Sequence, residues 1–347
     1  MMVNDMEIEQ DLIICVPIEE AEAIRKWLLE SKVLDMDRKI RKTTENGKKY
    51  LLLPVTAKVK GYTCFNDQMP EIYTPQKSLK ELLANEMPVQ ELVKVPAGWQ
   101  VIGTVIIVTI PEDLEHRKML IGEKLLQMYP RCSCVVKDKG IQGALRLPTR
   151  EVIAGHGTET IHKENCCAFK LDVAKVMFSK GNLAEKKLMS LSASDEVVVD
   201  MFAGIGYFSI PIAVHSSPKK VISIELNPVS FGYLQENIRL NCVENLVEPI
   251  LGDCAIVTPE GVADRVIMGY VGTTHNYLFK GIKALKPEGG ILHYHETTPE
   301  RLVFERPVNR IREAALEIGK EVEIVETRRI KKYSPGVWHV VIDAKIT

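Results

Sequence analysis

The sequence predicts an α/β chain whose C-terminal half is an open parallel sheet. Three observations carry this. Val197–Asp200 (VVVD) is a β-branched run that ends in an acid and feeds a loop with two glycines. Such an unbroken apolar run is how a strand buried on both faces reads. Val221–Glu225 (VISIE) repeats the design, its acid 25 residues after Asp200. Ile250–Asp253 (ILGD), Ala263–Tyr270 (ADRVIMGY) and Lys286–His295 (KPEGGILHYH) follow at strand–helix spacing.

Ahead of that sheet the pattern is mixed. Leu12–Val16 (LIICV) reads as a short strand. Ile18–Leu29 reads as a helix, with Ala21, Ile24, Trp27 and Leu28 on one face. A basic stretch then leads into a strand at Leu51–Val55, so 11–60 form a small α/β domain. Pro70, Pro75, Pro88 and Pro96 mark 61–96 as a linker. Val101–Ile110 predicts one strong strand, Leu114–Met128 a helix and Cys134–Arg146 a hairpin. With Thr160–Asn165, Cys167–Asp172 and Val173–Phe178 they make a middle α+β domain over 97–176. The parallel-sheet domain takes 177–347, and no repeat or low-complexity tract interrupts the chain.

The strand-end acids point to a nucleoside ligand. Gly204 and Gly206 let the backbone turn sharply and approach a ligand closely. Asp200 sits at the carboxyl end of its strand, where open α/β sheets bind ligands. The spacing Asp-x-x-x-Gly-x-Gly departs from the Gly-x-Gly-x-x-Gly dinucleotide fingerprint, which argues against a NAD-type oxidoreductase. It resembles the first motif of class I S-adenosylmethionine (SAM) enzymes, with a Rossmann-like catalytic domain. Glu225 is placed to accept the ribose hydroxyls, and Asp253 suits the adenine amine. Asn227-Pro228 starts the intervening helix by cap and proline.

Bulk properties exclude several classes. No run reaches 18 apolar residues, so no membrane span or membrane partner is expected. No basic segment followed by an apolar run opens the chain, so no secretory signal is expected and the reading is cytoplasmic. The eight cysteines form no CxxC pair and no zinc spacing, so no metal is expected and most should be reduced and buried. His293 and His295 alternate on one strand face, but no third ligand follows at a metal spacing. A net charge of −1 does not announce a nucleic-acid binder. The charge is uneven, however: Arg38–Lys49, Lys137–Arg150 and Arg328–Lys332 are basic clusters, each alone readable as solvated surface.

Three phrases are more specific: Glu159–Asn165 (ETIHKEN), Phe169–Lys186 (FKLDVAKVMFSKGNLAEK) and DMFAGIGYFSIP at 200–211. They resemble the archaeal-eukaryotic tRNA (guanine-N1)-methyltransferase family, which modifies position 37 of tRNA, and the likeness covers nearly the whole chain. It implies that 11–60 contact the outer corner of tRNA and that the catalytic domain meets the anticodon-loop purine. The methyltransferases carry an asparagine-proline motif after the fourth strand; here Gly269–His275 (GYVGTTH) stands instead. Met177 stands where those enzymes tend to have tyrosine. With HYHETTPE (293–300) and YSPGVWHVV (333–341), these departures resemble the wybutosine-pathway branch. That branch transfers the 3-amino-3-carboxypropyl group of SAM to C7 of 4-demethylwyosine in tRNA-Phe and releases methylthioadenosine. The methyltransferase activity is the alternative reading, and a non-catalytic tRNA binder a weaker one that the retained Glu225 and Asp253 oppose.

The resemblance also implies roles. Ser179 and Lys186 match positions near the SAM tail, or else read as an N-cap serine and a solvated helix lysine. Cys254 would meet the adenine ring through its backbone N–H. Arg146 and Glu185 match a base-contacting arginine and a general base, or else pair with each other. His275 would position substrate, or serve as a structural histidine. Tyr207 and Phe208 read as core or pocket wall. A monomer acting on tRNA-Phe is expected.

Overall fold

Leu12, Ile14 and Val16 alternate inward along β1 (Leu12–Pro17), as a half-buried strand requires. The computed structural model describes residues 11–347 except 46, 74–76, 144 and 179. The chain divides into two units, one up to Lys77 and one from Ser78 onward.

In the first unit α1 (Ala21–Glu30) buries Ala21, Ile24 and Leu28. Its Trp27, expected on that face, is instead 47% exposed. The strands β2 (Arg41–Glu45), β3 (Lys48–Pro54) and β4 (Cys64–Asn66) join β1 in an antiparallel sheet of order β2-β3-β1-β4. Two members of the basic stretch are not solvated. Arg38 is buried and donates to Asp35 and to the carbonyls of Leu12 and Val55. Arg41 pairs with both carboxylate oxygens of Asp67.

The segment expected as a linker is structured at both ends. β4 belongs to the first sheet. In the second unit, α2 (Leu79–Leu83) and α3 (Val89–Leu92) follow, and Leu79, Leu83, Met87 and Val95 enter the core of the neighbouring sheet. Ser78 and Glu81 form a reciprocal capping box at α2. Ser-x-x-Glu was therefore a legible helix start, overshadowed by the prolines.

That neighbouring sheet has the order β5 (Gln100–Ile102), β6 (Val105–Val108), β7 (Cys134–Gln142) and β8 (Leu147–Gly155), covered by α4 (Lys118–Met128). The single strand expected over Val101–Ile110 is a hairpin. Gly103 takes φ +54°, Ile102 faces Val105, and a Cβ on Gly103 would lie 2.1 Å from Thr160 Oγ1. An apolar run masks such a turn because Ile102 and all of β6 are buried on either side of it. A second hairpin, β9 (Glu159–Glu164) and β10 (Cys167–Asp172), follows.

After α5 (Leu183–Met189) comes the expected parallel sheet. Its first half runs β11 (Val197–Asp200), α6 (Ser209–His215), β12 (Lys220–Glu225), α7 (Pro228–Leu240), β13 (Val247–Leu251) and α8 (Cys254–Val257). Its second half runs β14 (Arg265–Met268), α9 (Leu278–Ala284), β15 (Gly290–Pro299), α10 (Glu305–Leu316), β16 (Val322–Ser334) and β17 (Val337–Ile346). The order is β13-β12-β11-β14-β15-β17-β16, parallel through β15 and antiparallel beyond. The chain reverses its direction of travel across the sheet between β11 and β14. Ligands of such sheets bind at that switch point.

Asn227 caps α7 and Pro228 opens it, as expected. On the same helix Asn237 and Asn241 act as rungs to β10. Asn237 accepts from Lys170 N–H (2.6 Å) and donates to the carbonyls of Lys170 and Ile205. Asn241 accepts from Ala168 N–H and donates to its carbonyl. Asn237→Leu should therefore strand a buried backbone donor and two carbonyls, at about 1–3 kcal/mol per unsatisfied group. Thermal melting should drop clearly below wild type; an unchanged midpoint would refute the rung role.

The eight cysteines are all free thiols, but only Cys134, Cys167 and Cys254 are buried. The expectation that most are buried is corrected, since Cys166 and Cys242 are exposed at turns.

Candidate active site

A cavity of about 270 Å³ opens at the carboxyl ends of β11 to β14, wholly within the second unit. Of the residues expected to bind cofactor, Lys186, Gly204, Glu225, Asp253 and Cys254 line it. Gly204 takes φ +59°, and a Cβ there would meet the Tyr207 ring at 2.5 Å.

Glu225 ends β12 facing this loop. Its Oε2 accepts from Gly204 N–H (2.8 Å) and its Oε1 from Asn227 N–H (2.7 Å). Burial pushes its carboxyl up, against the pull of these backbone donors. Each carboxylate oxygen keeps a further lone pair for a ligand hydroxyl. At the next strand end Asp253 accepts from Ala255 N–H and caps α8. The first N–H of a helix has no intrahelical acceptor, which leaves the Cys254 backbone suited to a ring nitrogen. Its thiol is packed away, and burial with the Asp253 charge pushes it up to about 12. Tyr270 stacks on Phe202 at 5.4 Å between ring centres, and Tyr277 meets that ring edge-on. The strand-end carboxylate, the free helix start and the flat aromatic walls fit adenosine.

Three expected residues stand elsewhere. Asp200 is fully buried and does not line the cavity. Its oxygens accept from Ser209 Oγ (2.7 Å) and Phe202 N–H (3.2 Å), and burial raises its carboxyl to about 6. It organises the glycine loop instead of meeting ligand. Glu185 is also buried away from the cavity. It does not pair with Arg146; Arg328 grips it through two donors, at 2.8 and 3.2 Å. His275 sits half-buried in the turn after β14, outside the lining, with its Nδ1 unpartnered and its basicity lowered by burial. Ser179 lies outside the described residues.

The opposite end of the cavity is cationic. Lys186 is 3% exposed, pairs with Glu164 and lies 4.7 Å over the Phe178 ring. Arg146 lines the cavity from the β7–β8 turn, with φ +53° and no partner for Nε. Lys331, Tyr333 and His339 complete this end and were not foreseen. The Arg328–Lys332 cluster, read as solvated surface, thus sends Arg328 into a buried network and Lys331 to the cavity wall. Burial and the charges of Arg146 and Lys186 push Lys331 down. No local pattern marks these residues, because only the pairing of β16 with β17 brings them to the site.

Among the described residues no group of three or more His, Cys, Asp or Glu could hold a metal ion. Arg265 donates to His293 Nε2 (2.5 Å), so His293 Nδ1 carries the hydrogen given to Asp343 (2.6 Å). Asp343 also accepts from Arg328 (2.5 Å). His295 is fully buried beside Phe208, and its Nδ1 lies 3.1 Å from His339 Nε2. Burial first, then Lys331 and Arg146, push His339 down to about 3. Tyr207 and Phe208 form cavity wall, and the Tyr207 hydroxyl donates to the Met177 carbonyl. After β14 a Cβ on Gly269 would meet the Phe208 ring at 2.7 Å, so a side chain there would have to displace that ring.

Comparison with known proteins places this architecture. The TRM5/TYW2 methyltransferase domain matches residues 160–325, the TYW2 N-terminal domain 79–158 and the tRNA methyltransferase 5 N-terminal domain 14–63. A tRNA(Phe) (4-demethylwyosine(37)-C(7)) aminocarboxypropyltransferase of Methanocaldococcus jannaschii is 48% identical over 251 residues, covering 71% of this chain and 97% of that protein. The tRNA (guanine(37)-N(1))-methyltransferase Trm5b of Pyrococcus abyssi is 36% identical over 342 residues, covering 97% of this chain and 99% of its own. The crystal structure of M. jannaschii TYW2 in complex with AdoMet superposes with a TM-score of 0.59 at 44% identity, covering 72% of this chain and 99% of that one. With a relative 36% identical along almost its full length and domain matches from 14 to 325, the chain belongs to the TRM5/TYW2 family.

Proposed function

We propose that this chain transfers the 3-amino-3-carboxypropyl group of SAM to C7 of 4-demethylwyosine at position 37 of tRNA-Phe, with methylthioadenosine as the second product. The observation that carries this reading is the loop after β14. Gly269, Tyr270 and Val271 line the cavity where the family's methyltransferases carry their asparagine-proline motif. The 48% identity to an aminocarboxypropyltransferase supports it.

Bound SAM supplies three electrophilic carbons on one sulfonium, and the protein selects among them by position. Glu225 accepts the ribose hydroxyls, Asp253 the adenine amine, and the Cys254 N–H donates to the ring. Lys186 holds the amino-acid carboxylate at the cationic end. A charge-assisted contact of that kind fixes the arm that is to be transferred. Holding reactants in line is worth up to about 7–11 kcal/mol of a barrier, so an arm turned toward the base decides the product. The base leaves its stack to enter, as in other enzymes that act on a nucleobase.

In this reading the first unit, with exposed Lys42, Lys48 and Lys49, touches the outer corner of tRNA. In this reading the enzyme acts on tRNA as a monomer. Among the described residues no helix is long and apolar enough to cross a membrane, which suits a cytoplasmic enzyme meeting tRNA.

A second reading, methylation of guanosine 37, is favoured by the match to Trm5b, which extends over the first unit as well. SAM labelled at the carboxyl carbon or at the methyl separates the two. Carboxyl label is expected to enter tRNA-Phe that contains 4-demethylwyosine, with methylthioadenosine released. Methyl label entering unmodified guanosine would replace this function with the second.

A further inference from the structure

His339 lines the cavity from β17 and is 1% exposed. Its Nε2 is engaged with His295, but its Nδ1 has no hydrogen-bond partner among the described residues. An unpaired buried nitrogen costs about 1–3 kcal/mol. In the wall of a ligand cavity, such an atom points to a partner that comes with the ligand.

Alkylation at a ring carbon creates a need for that atom, if the proposed function holds. As the C7–Cγ bond forms, the Cγ–S bond of SAM breaks and its electron pair stays on sulfur. Methylthioadenosine leaves neutral, and the positive charge passes to the tricyclic base. C7 now carries both the new side chain and its hydrogen. The ring recovers its electron pair only when that hydrogen leaves as a proton.

We propose that His339 is the catalytic base of the reaction, its Nδ1 accepting the proton from C7. The carboxylates are otherwise occupied. Glu185 is gripped by Arg328 outside the cavity, Glu225 holds two backbone donors, and Asp253 caps α8. His339 is the one imidazole among the described lining residues. The role requires the tautomer in which His339 Nε2–H donates to His295 Nδ1. A ring carbon bearing both hydrogen and full positive charge is a strong acid, so a weak base suffices. Burial, Lys331 and Arg146 keep the imidazole neutral and its lone pair available. The hydrogen bond to His295 spreads the incoming charge, and the proton passes to water as the products leave.

The test uses full-length protein, carboxyl-labelled SAM, and tRNA-Phe whose 4-demethylwyosine carries hydrogen or deuterium at C7, in single turnover. Wild type should transfer the label at equal rates from both substrates, because proton loss follows bond formation and is fast. Until the proton leaves, the C7–Cγ bond can break again and return the side chain to the bound methylthioadenosine, so slow proton loss slows net transfer. His339→Gln and His339→Asn should keep SAM affinity by calorimetry, lose about 10²-fold or more in transfer rate, and acquire a deuterium isotope effect absent from wild type. A variant as fast as wild type, or one slowed with the wild-type isotope ratio, overturns the proposal. Loss of SAM binding in both variants also overturns it, since His339 would then be part of the framework. Wild-type protein that puts methyl label into tRNA overturns the function itself, and this is seen before any variant is made.

Discussion

Arg328→Met is expected to cost about 3–5 kcal/mol of folding stability, the usual effect of removing one partner from a buried ion pair. Its guanidinium bonds Glu185 at 2.8 and 3.2 Å and Asp343 at 2.5 Å. The carboxylate side chains are only 2% and 11% exposed, so removing the cation leaves two buried negative charges. The loss should depend on pH, and its sign follows from Asp343. Burial alone would raise this carboxyl, but hydrogen bonds from His293 and Arg328 bring it from 3.8 to about 2. Wild type therefore gains stability from this group above about pH 3.8 and loses it as pH falls toward 2. In the variant Asp343 keeps its bond from His293 but loses the Arg328 donor, so its carboxyl rises from the wild-type value and the gap to wild type should narrow as pH falls toward 2. Denaturant titrations at several pH values measure this. Equal stability at pH 7 would mean that desolvating the network costs as much as its pairing returns.

Glu225→Ala should weaken SAM binding by about 1–3 kcal/mol, which is about 5–150-fold in Kd. The carboxylate lines the cavity while its two oxygens accept from the Gly204 and Asn227 N–H groups. Its removal takes away the ribose acceptors and also two bonds that shape the glycine loop. Glu225→Gln separates these contributions. It keeps one acceptor oxygen but turns an NH₂ toward a backbone donor, so its loss should fall between wild type and alanine. Calorimetry with SAM measures all three, and an alanine variant of unchanged affinity would remove Glu225 from the site.

The half of the cavity lined by the strand ends was legible in the sequence. Glu225, Asp253, Cys254 and Gly204 stand at strand ends, and a buried parallel strand announces itself by an apolar run that stops at its tip. Each of these positions depends on one local element, so local sequence suffices to find it. Asp200 misled the same logic. An acid at a strand end can turn inward to hold its own loop, as the bonds from Ser209 and Phe202 show. Side-chain direction at such a position is decided by the neighbours.

In the other half, the family resemblance reached Arg146 and Lys186, but only the tertiary fold placed Lys331 and His339 beside them. Arg146, Lys186, Lys331 and His339 converge from a turn, a helix and two strands, separated by up to 193 positions in the chain. The apolar run at Val101–Ile110 likewise concealed a turn, because Ile102 and all of β6 are buried on either side of it and alternation is silent there. By itself the sequence determined the α/β class, the family and the nucleoside-binding strand ends, since these rest on short-range pattern. Which acids face the ligand, which cations leave the surface and which histidines pair were set by strand order. Antiparallel β17, inserted between β15 and β16, brings His339 beside His295 and Arg328 onto Asp343 and Glu185.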